Sequence, residues 1–335
     1  MPLHTHNETG ERLTLHKFAQ GGDVNAFSED VRQGLTAKQK YLLPKYLYDD
    51  LGSRLFEAIC LLPEYYLTRA EKSILQNQSD EIVSHLPLPS RIVELGSGNA
   101  EKTRFLLEAL LKRQTTLHYL PIDISEESLR RSSEELLGNY DRLRITAYAA
   151  DYFRALRSIV KADENEHTVV LFLGSNIGNF SEDEAMNFLQ QVRSILEVGD
   201  ALLLGADLKK SEEILIPAYD DALGVTAAFN LNLLVRMNRE LNADFDLRKF
   251  QHRAIYNKKF GRVEMHLVSK EEQTVTLKAL ELRVHFAKGE SIHKENSYKF
   301  DLEQINSLGL NTGFALQQTW YDPQQQFSFN LLKAQ

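Results

Sequence analysis

The chain has 335 residues, of which 43% are apolar and 26% charged, and its formal net charge at pH 7 is −8. That length allows either one large domain or two closely associated ones. The acidic balance gives no electrostatic reason to expect nucleic acid or an anionic membrane as a partner. The single cysteine, Cys60, excludes an intrachain disulfide, which suits a reducing compartment.

The first 22 residues show no hydrophobic periodicity, so we expect a mobile arm there. The polar stretch at residues 1–11 lacks the apolar core of a signal peptide, and no apolar run in the chain is long enough to cross a bilayer. These features predict a cytoplasmic protein without a membrane partner, and we expect a monomer.

Helical patterns dominate residues 27 to 86. Ser53 is a candidate N-cap for a helix that Pro63 ends. The sequence Thr68-Arg-Ala-Glu71 is typical of a capping box and predicts a helix from Ala70 to Leu86.

From residue 91 the pattern alternates between β and α. The strands are expected at 91–95, 117–123, 145–148, 168–174 and 201–207, with helices between them. Residues 168–174 are apolar throughout, as in a parallel strand buried on both faces. This alternation predicts an α/β fold with a doubly wound parallel sheet.

After Pro217 the character changes. The pattern predicts a helix over 218–240, β strands within 251–285, a helix over 300–310 and a final hairpin turning at Asp322-Pro323. We therefore expect a sheet domain made of residues 70–209 and 299–335. A second, α+β domain is expected from residues 23–69 and 210–298.

A glycine loop follows the first strand of the sheet. Glu94 ends the strand, and Gly96-Ser97-Gly98 then let the backbone lie close to a ligand. Asp123, after the second strand, is placed to accept hydrogen bonds from ribose hydroxyls. The third glycine of a dinucleotide-binding loop is missing, and an acid such as Glu94 suits a cationic amine better than a pyrophosphate. S-adenosylmethionine (SAM) has such an amine, and Asp151 with Tyr152 is expected beside its adenine.

Several motifs in unbroken order resemble the histidine-specific Nα-methyltransferase family of ergothioneine biosynthesis. The resemblance covers roughly residues 28–335. The motifs are Tyr48-Asp-Asp-Leu-Gly-Ser-Arg, Leu62-Pro-Glu-Tyr-Tyr-Leu-Thr-Arg, Glu94-Leu-Gly-Ser-Gly, Gly174-Ser-Asn-Ile-Gly-Asn-Phe, Ala218-Tyr-Asp-Asp and Glu295-Asn-Ser-Tyr-Lys-Phe.

The resemblance implies a Rossmann-like class I methyltransferase sheet, which carries the cofactor, and a substrate-binding second domain. It implies SAM as the methyl donor and transfer of three methyl groups to the α-amino group of L-histidine, giving hercynine. The cofactor-binding residues are then expected to be Glu94, Gly96, Ser97, Gly98, Lys102, Asp123, Asp151, Tyr152 and Gly174.

The acceptor residues also follow from the resemblance. Tyr65, Asn179 and Tyr219 should hold the amino-acid backbone, and Tyr48 should lie near the reacting amine, so that Tyr48 and Asn179 are the expected catalytic residues. Glu295 and Ser297 should bind the imidazole. Met265 should border the side-chain pocket.

Residue types alone leave plainer interpretations open. Glu295 and Ser297 could be exposed strand positions, Tyr65 and Tyr219 packing residues, and Asn179 a turn stabiliser. The acceptor could also be tryptophan or tyrosine, and the chain could bind SAM without catalysis or be an NAD(P)-dependent oxidoreductase. No metal is expected, because the spacing of the histidines is not that of known metal ligands: His252, His266, His285 and His293.

Overall fold

The computed structural model describes residues 5–9, 11–18, 23–159 and 166–335. The chain divides into two compact units. Unit 1 comprises Met1–Ala19, Arg69–Leu208 and Phe300–Gln335, and unit 2 comprises Gln20–Thr68 and Lys209–Lys299. The functions expected for the two domains stay predictions at this point.

The strands, in chain order, are β1 (Thr5–Thr9), β2 (Leu13–Phe18), β3 (Ser90–Leu95), β4 (Leu117–Asp123), β5 (Leu143–Ala149), β6 (His167–Phe172), β7 (Ala201–Asp207), β8 (Phe250–Asn257), β9 (Arg262–Ser269), β10 (Gln273–Leu277), β11 (Leu282–Phe286), β12 (Ser291–Tyr298), β13 (Phe314–Tyr321) and β14 (Phe327–Ala334). The helices are α1 (Asp23–Thr36), α2 (Asp50–Leu61), α3 (Tyr66–His85), α4 (Arg104–Leu111), α5 (Glu126–Asn139), α6 (Tyr152–Ser158), α7 (Glu182–Ser194), α8 (Glu212–Tyr219), α9 (Val225–Glu240) and α10 (Leu302–Asn311). Among these helices, none combines the length and the apolar character that crossing a membrane requires.

Within the described residues, unit 1 holds a nine-stranded sheet in the order β1-β2-β5-β4-β3-β6-β7-β14-β13. Strands β2 to β7 pair in parallel, and the terminal hairpin β13–β14 adds antiparallel strands next to β7. The apolar runs of β3, β6 and β7 are buried along their length, as strands covered on both faces must be. The predicted doubly wound parallel sheet and its closing hairpin are therefore confirmed.

The carboxyl ends of the parallel strands define where a ligand can bind. Strand order reverses between β3 and β6, because β4 and β5 lie on one side of β3 while β6 and β7 lie on the other. Ligands of open α/β sheets bind outside the strand ends at such a switch point. The loops after β3, β4, β5 and β6 are therefore the candidate positions.

Part of the segment expected to be a mobile arm forms two strands. Leu13–Phe18 pairs in parallel with β5, and Thr5–Thr9 pairs antiparallel with β2. Leu15 is buried in the unit 1 core. A six-residue strand is too short to show a clear period in sequence, and the edge of β5 provides its hydrogen-bond partners. The rest of the expected arm, residues 1–4, 10 and 19–22, lies outside the described residues.

Three helix starts also differ from the prediction. The N-cap of α2 is Asp49, whose side chain accepts from the Gly52 N–H, and not Ser53. Helix α3 begins at Tyr66, so Thr68 lies inside it and the predicted capping box is wrong. The helix expected over 218–240 is two helices, α8 and α9, because Gly224 with φ +77° interrupts the stretch between them.

Unit 2 contains a three-stranded antiparallel sheet, β12-β9-β8, and a two-stranded sheet, β10-β11. Apolar residues from α1, α2, α9 and both sheets form its main core. Strand β12 carries a β-bulge between His293 and Glu295, so Lys294 has no partner residue on β9. Beyond the bulge Glu295 pairs with Met265 and Ser297 pairs with Val263, which places Glu295 and Ser297 on one face, as predicted.

Candidate functional site

The glycine loop after β3 folds back onto the end of β4. The backbone N–H groups of Gly96 and Ser97 both donate to the carbonyl of Ile122, at 2.8 and 3.1 Å. Gly98, at φ +52°, donates its N–H to Asp123 Oδ2 at 2.9 Å. The structure thus brings the predicted loop and the predicted ribose-binding acid together.

Gly96 lies against the loops that follow β5 and β6. Its φ is +76°, and a Cβ placed on it would lie 2.7 Å from the Tyr152 hydroxyl and 3.5 Å from Asn176 Nδ2. Gly174, at φ +70°, also neighbours Asn176. Glycine is required at Gly96 both by backbone conformation and by close approach. The ends of β3, β5 and β6 therefore converge at this point.

The two predicted nucleoside-binding acids differ in environment. Asp123 Oδ1 accepts from the Ser125 N–H at 2.9 Å, and burial raises the pKa of Asp123 although its backbone hydrogen bonds oppose the shift. Asp151 is exposed and caps α6 by accepting from the Arg154 N–H at 3.0 Å. The ring of Tyr152, next to Asp151, is half-buried.

Glu94 is buried beneath the loop, with 2% of its surface exposed. Thr103 donates to one carboxylate oxygen at 2.5 Å, and the Tyr119 hydroxyl donates to the other. Burial is the largest influence on Glu94 and raises its pKa to about 7, against the lowering effect of these hydrogen bonds. Both oxygens of Glu94 therefore bind the protein itself, which fixes the loop.

Glu71 is a buried acid whose contacts the sequence did not reveal. Its buried carboxylate accepts from Lys102 Nζ and, through Oε1, from the Gly174 N–H at 2.6 Å. Glu71 thereby connects two predicted cofactor residues that lie far apart in sequence. Its sequence context suggested a helix cap, and only the fold reveals this connection.

Asn179 ends the short 3₁₀ helix Asn176–Asn179 after β6 and is half-buried. It therefore belongs to unit 1. Ser175, the residue before this helix, is held at φ +58°, and its hydroxyl accepts from the Asp207 N–H at 2.8 Å. That contact anchors the turn to the end of β7.

In unit 2 the predicted acceptor residues lie in one aromatic cluster. Tyr48 packs edge-on against Phe56 and Phe229, with ring centroids 5.5 Å apart in both pairs. Tyr65 packs edge-on against Phe56 and Tyr219, each at 6.2 Å. Edge-to-face packing at these distances is the favoured geometry for aromatic pairs.

Tyr65 lies near several of the other predicted acceptor residues. Its pKa is raised well above the ordinary value, mainly by burial and then by the nearby Tyr219, Cys60, Tyr48 and Glu295. Glu295 therefore belongs to the same neighbourhood as the three tyrosines. The Tyr65 phenol stays neutral across the physiological range and can serve as a hydrogen-bond donor.

Tyr219, Ser297 and Lys299 form a triangle of hydrogen bonds. The Tyr219 and Ser297 hydroxyl oxygens are 2.8 Å apart, and Lys299 Nζ donates to both at 2.7 Å. The ammonium also lies 4.6 Å from the centroid of the Tyr219 ring. Lys299 lies within the motif Glu295-Asn-Ser-Tyr-Lys-Phe, but no pattern in that motif indicates a role for it.

Glu295 is buried, with 7% of its surface exposed. Burial raises the pKa of Glu295 to about 7, opposed by the charges of Lys294 and Lys299. Met265, its partner across the strands, is buried and accepts from Asn230 Nδ2 at 3.6 Å.

Lys294, at the bulge, is a third residue that the sequence missed. It is 1% exposed, and its Nζ has no hydrogen-bond partner among the described residues. Burial lowers the pKa of Lys294 to about 7. In the same described ranges, no group of three or more His, Cys, Asp or Glu side chains is arranged to hold a metal ion.

The fold and the site together define a class. A parallel sheet that reverses order after its glycine-loop strand, closed by an antiparallel hairpin, is the Rossmann-like sheet of class I SAM-dependent methyltransferases. The loop at Gly96–Gly98 and the acids after β4 and β5 occupy the ligand-binding edge of that sheet. Residues 27–334 match the model of the histidine-specific, SAM-dependent methyltransferase family, and the chain belongs to that family.

Comparison with known proteins gives relatives across nearly the whole chain. A histidine N-alpha-methyltransferase of Mycolicibacterium smegmatis is 42% identical over 95% of this chain and 98% of its own length. Ergothioneine biosynthesis protein 1 of Schizosaccharomyces pombe is 33% identical over 74% of this chain, which corresponds to 33% of that longer protein. A 4-dimethylallyltryptophan N-methyltransferase of Claviceps purpurea is 26% identical over 88% of this chain and 91% of its own length.

Proposed function

We propose that this protein transfers methyl groups from SAM to the α-amino nitrogen of L-histidine, up to trimethylhistidine (hercynine), the first step of ergothioneine biosynthesis. The observation that carries the proposal is the pairing of an acceptor, Glu295, with a hydroxyl, Ser297, on one buried face of a chain in the histidine-specific family. An imidazole offers one nitrogen to each. A site built on such pairs disfavours side chains that leave its polar groups unpaired.

The cofactor is assigned to the strand ends of unit 1. The backbone at Gly96, Ser97 and Gly98 has room for a ligand because a Cβ on Gly98 would meet no atom within 4 Å. We assign the ribose hydroxyls to Asp123 and the adenine to Asp151 and Tyr152. These acids suit a ligand without phosphates.

The amino-acid part of the cofactor carries a carboxylate and an amine. Lys102, held by Glu71, is assigned to the carboxylate, and Gly174 lies beside it through the same acid. Glu94 is assigned to the amine end, where it acts by fixing the loop. Bound SAM supplies an electrophilic methyl group on a positively charged sulfur.

The acceptor residues position the amine. Tyr65, Asn179 and Tyr219 are assigned to the carboxylate and amine of L-histidine, and Met265 to the border of the side-chain pocket. Amine attack requires a free lone pair, and α-amino groups titrate near pH 7.7–8.0 in model peptides. Positioning therefore contributes more than a strong base, and Tyr48 or water helps to remove the proton.

Mass spectrometry of L-histidine incubated with SAM and the protein tests the proposal. The expected result is a product heavier by three CH₂ units, formed through mono- and dimethylated intermediates. A protein that binds S-adenosylhomocysteine but leaves L-histidine unmodified contradicts it. Calorimetry with S-adenosylhomocysteine separates this case from a chain that does not bind the cofactor.

Variants test the assignment of the acceptor residues. Tyr65→Phe and Asn179→Ala should each raise KM for L-histidine while leaving the affinity for S-adenosylhomocysteine nearly unchanged. Tyr140→Phe is the matched control, because its hydroxyl bonds Glu108 on the surface of unit 1. An unchanged KM in both test variants removes these residues from the acceptor site.

A second candidate acceptor is an indole amino acid. It is favoured by the relative named 4-dimethylallyltryptophan N-methyltransferase. An indole has only one ring nitrogen, however, so it leaves either Glu295 or Ser297 without a partner. Tryptophan and tyrosine offered in the same assay discriminate the two candidates. A trimethylated tryptophan without trimethylated histidine changes the acceptor and keeps the reaction.

A further inference from the structure

Lys299 is a buried cation that the reaction outlined above does not use. It is 1% exposed, and its ammonium donates 2.7 Å hydrogen bonds to both Tyr219 and Ser297. An ammonium has three N–H donors and no acceptor. Both hydroxyl oxygens must therefore accept from Lys299, whatever else that ammonium contacts.

The hydrogen bond between Tyr219 and Ser297 restricts where their hydroxyl protons can point. A hydroxyl has one proton and two lone pairs. Between Tyr219 and Ser297, 2.8 Å apart, one hydroxyl donates to the other. The hydroxyl that receives this bond has both lone pairs filled, since Lys299 occupies the other. It can therefore only donate.

The chemistry of the two hydroxyls decides the direction. A phenol is a stronger acid than an alkyl alcohol, and a hydrogen bond from an ammonium strengthens it further as a donor. Tyr219 therefore donates to Ser297, and the Ser297 proton points away from the triangle. Glu295, two residues earlier on the same face, offers an acceptor about 6.6 Å along the strand. That spacing suits a ring nitrogen bonded at each end.

We propose that Lys299 is a positioning residue that makes Ser297 a hydrogen-bond donor, so that the site takes a neutral imidazole. The unprotonated ring nitrogen accepts from Ser297, and the N–H donates to Glu295. This rests on the proposed function, since it assumes that L-histidine is the acceptor. In an imidazolium both ring nitrogens carry a proton, so the Ser297 hydroxyl would face an N–H donor instead of an acceptor.

The protonation of bound histidine can be observed directly in the unaltered protein. L-histidine labelled with ¹⁵N in the ring is bound to the complex of the protein with S-adenosylhomocysteine, and its ring resonances are recorded by NMR. One N–H and one unprotonated nitrogen, each at its own shift, are expected. Two protonated nitrogens, or one averaged signal, overturn the inference. Methylation of L-histidine in the same preparation shows separately that the proposed function holds.

Substitution then tests the role of Lys299. Lys299→Met should raise KM for L-histidine about 10- to 100-fold, the loss expected for charge-assisted hydrogen bonds, with kcat changing less. Affinity for S-adenosylhomocysteine should stay within about twofold of the unaltered protein, which also reports that the fold is intact. Lys258→Met is the control, because Lys258 is an exposed lysine paired with Glu212. Its KM should not move.

A double substitution separates positioning from simple packing. In a Ser297→Ala background the triangle is already broken, so Lys299→Met should add little to the rise in KM. Effects that multiply instead show that Lys299 acts independently of Ser297 and overturn the inference. A Lys299→Met protein with unchanged KM overturns it as well.

Discussion

Replacing Gly96 by alanine is the sharpest test of the cofactor loop. The new Cβ would lie 2.7 Å from the Tyr152 hydroxyl, well inside contact distance. The Tyr152 ring cannot move away freely, because it packs against Phe172 and Phe188 with centroids 5.7 and 6.0 Å apart. Gly98→Ala is a matched control: its φ is also positive, at +52°, but a Cβ there meets nothing within 4 Å.

The two substitutions share a backbone cost and differ in a steric one. Holding alanine at positive φ costs about 1–2 kcal/mol at either position. Overpacking adds about 1–3 kcal/mol at Gly96 alone. Gly98→Ala should therefore lose about 1–2 kcal/mol of unfolding free energy, and Gly96→Ala about 2–5 kcal/mol. Adding Tyr152→Phe to Gly96→Ala removes the clashing oxygen and should recover most of the difference.

Thermal unfolding of the four proteins measures these terms, with about 2–4 °C of Tm expected per kcal/mol for a domain of this size class. Calorimetry with S-adenosylhomocysteine measures the functional cost. Affinity should fall most in Gly96→Ala and recover in the double variant with Tyr152→Phe. Two outcomes refute the reasoning: an equal loss of stability in Gly96→Ala and Gly98→Ala, or no recovery in the double variant. Either one shows that the close approach of Tyr152 is not the reason why position 96 requires glycine.

Three further substitutions probe buried charges. Glu71→Gln keeps an acceptor but removes the charge that holds Lys102, so affinity for S-adenosylhomocysteine should fall about tenfold, while the exposed control Glu101→Gln has no effect in the same titration. Burial lowers the pKa of Lys294 from 10.5 to about 7, which costs stability below pH 7 and nothing above pH 10.5. Lys294→Met should therefore stabilise by about 2–4 kcal/mol at pH 7, and denaturation at a series of pH values should show this gain fading toward pH 10.5. Burial raises the pKa of Glu94 from 4.5 to about 7, so wild-type stability declines across that interval. The stability of Glu94→Gln relative to wild type should therefore rise by about 3 kcal/mol over the same range, and a pH-independent difference contradicts the shift.

The sheet was predictable because its information is local. Each strand and each helix has a hydrophobic pattern that is recognisable within a short stretch of sequence. The fully apolar run at 168–174, for example, indicated a central strand, and β6 is one. The N-terminal strand Leu13–Phe18 escaped prediction for the same reason. Its partner, β5, lies more than a hundred residues away in sequence. The residues of this strand therefore do not by themselves show which hydrogen bonds will stabilise it.

The site shows the same division. The glycine loop and Asp123 were recognisable from residue type and spacing, and the structure joins them at 2.9 Å. The roles of Glu71 and Lys299 were not recognisable, because each acts through partners from other segments. Glu71 even stood in a plausible capping box. A side chain with several possible partners is resolved only when folding places one of them within reach.

The sequence by itself determined the fold class, the ligand-binding edge of the sheet and the family of the protein, since strand periodicity, turn residues and motif order are properties of neighbouring residues. Only the tertiary structure decided which charges are buried and what they contact. Lys294, Glu295 and Lys299 look alike in sequence as polar residues of one strand and its end. All three are buried in the folded protein, and burial shifts the pKa values of Lys294 and Glu295.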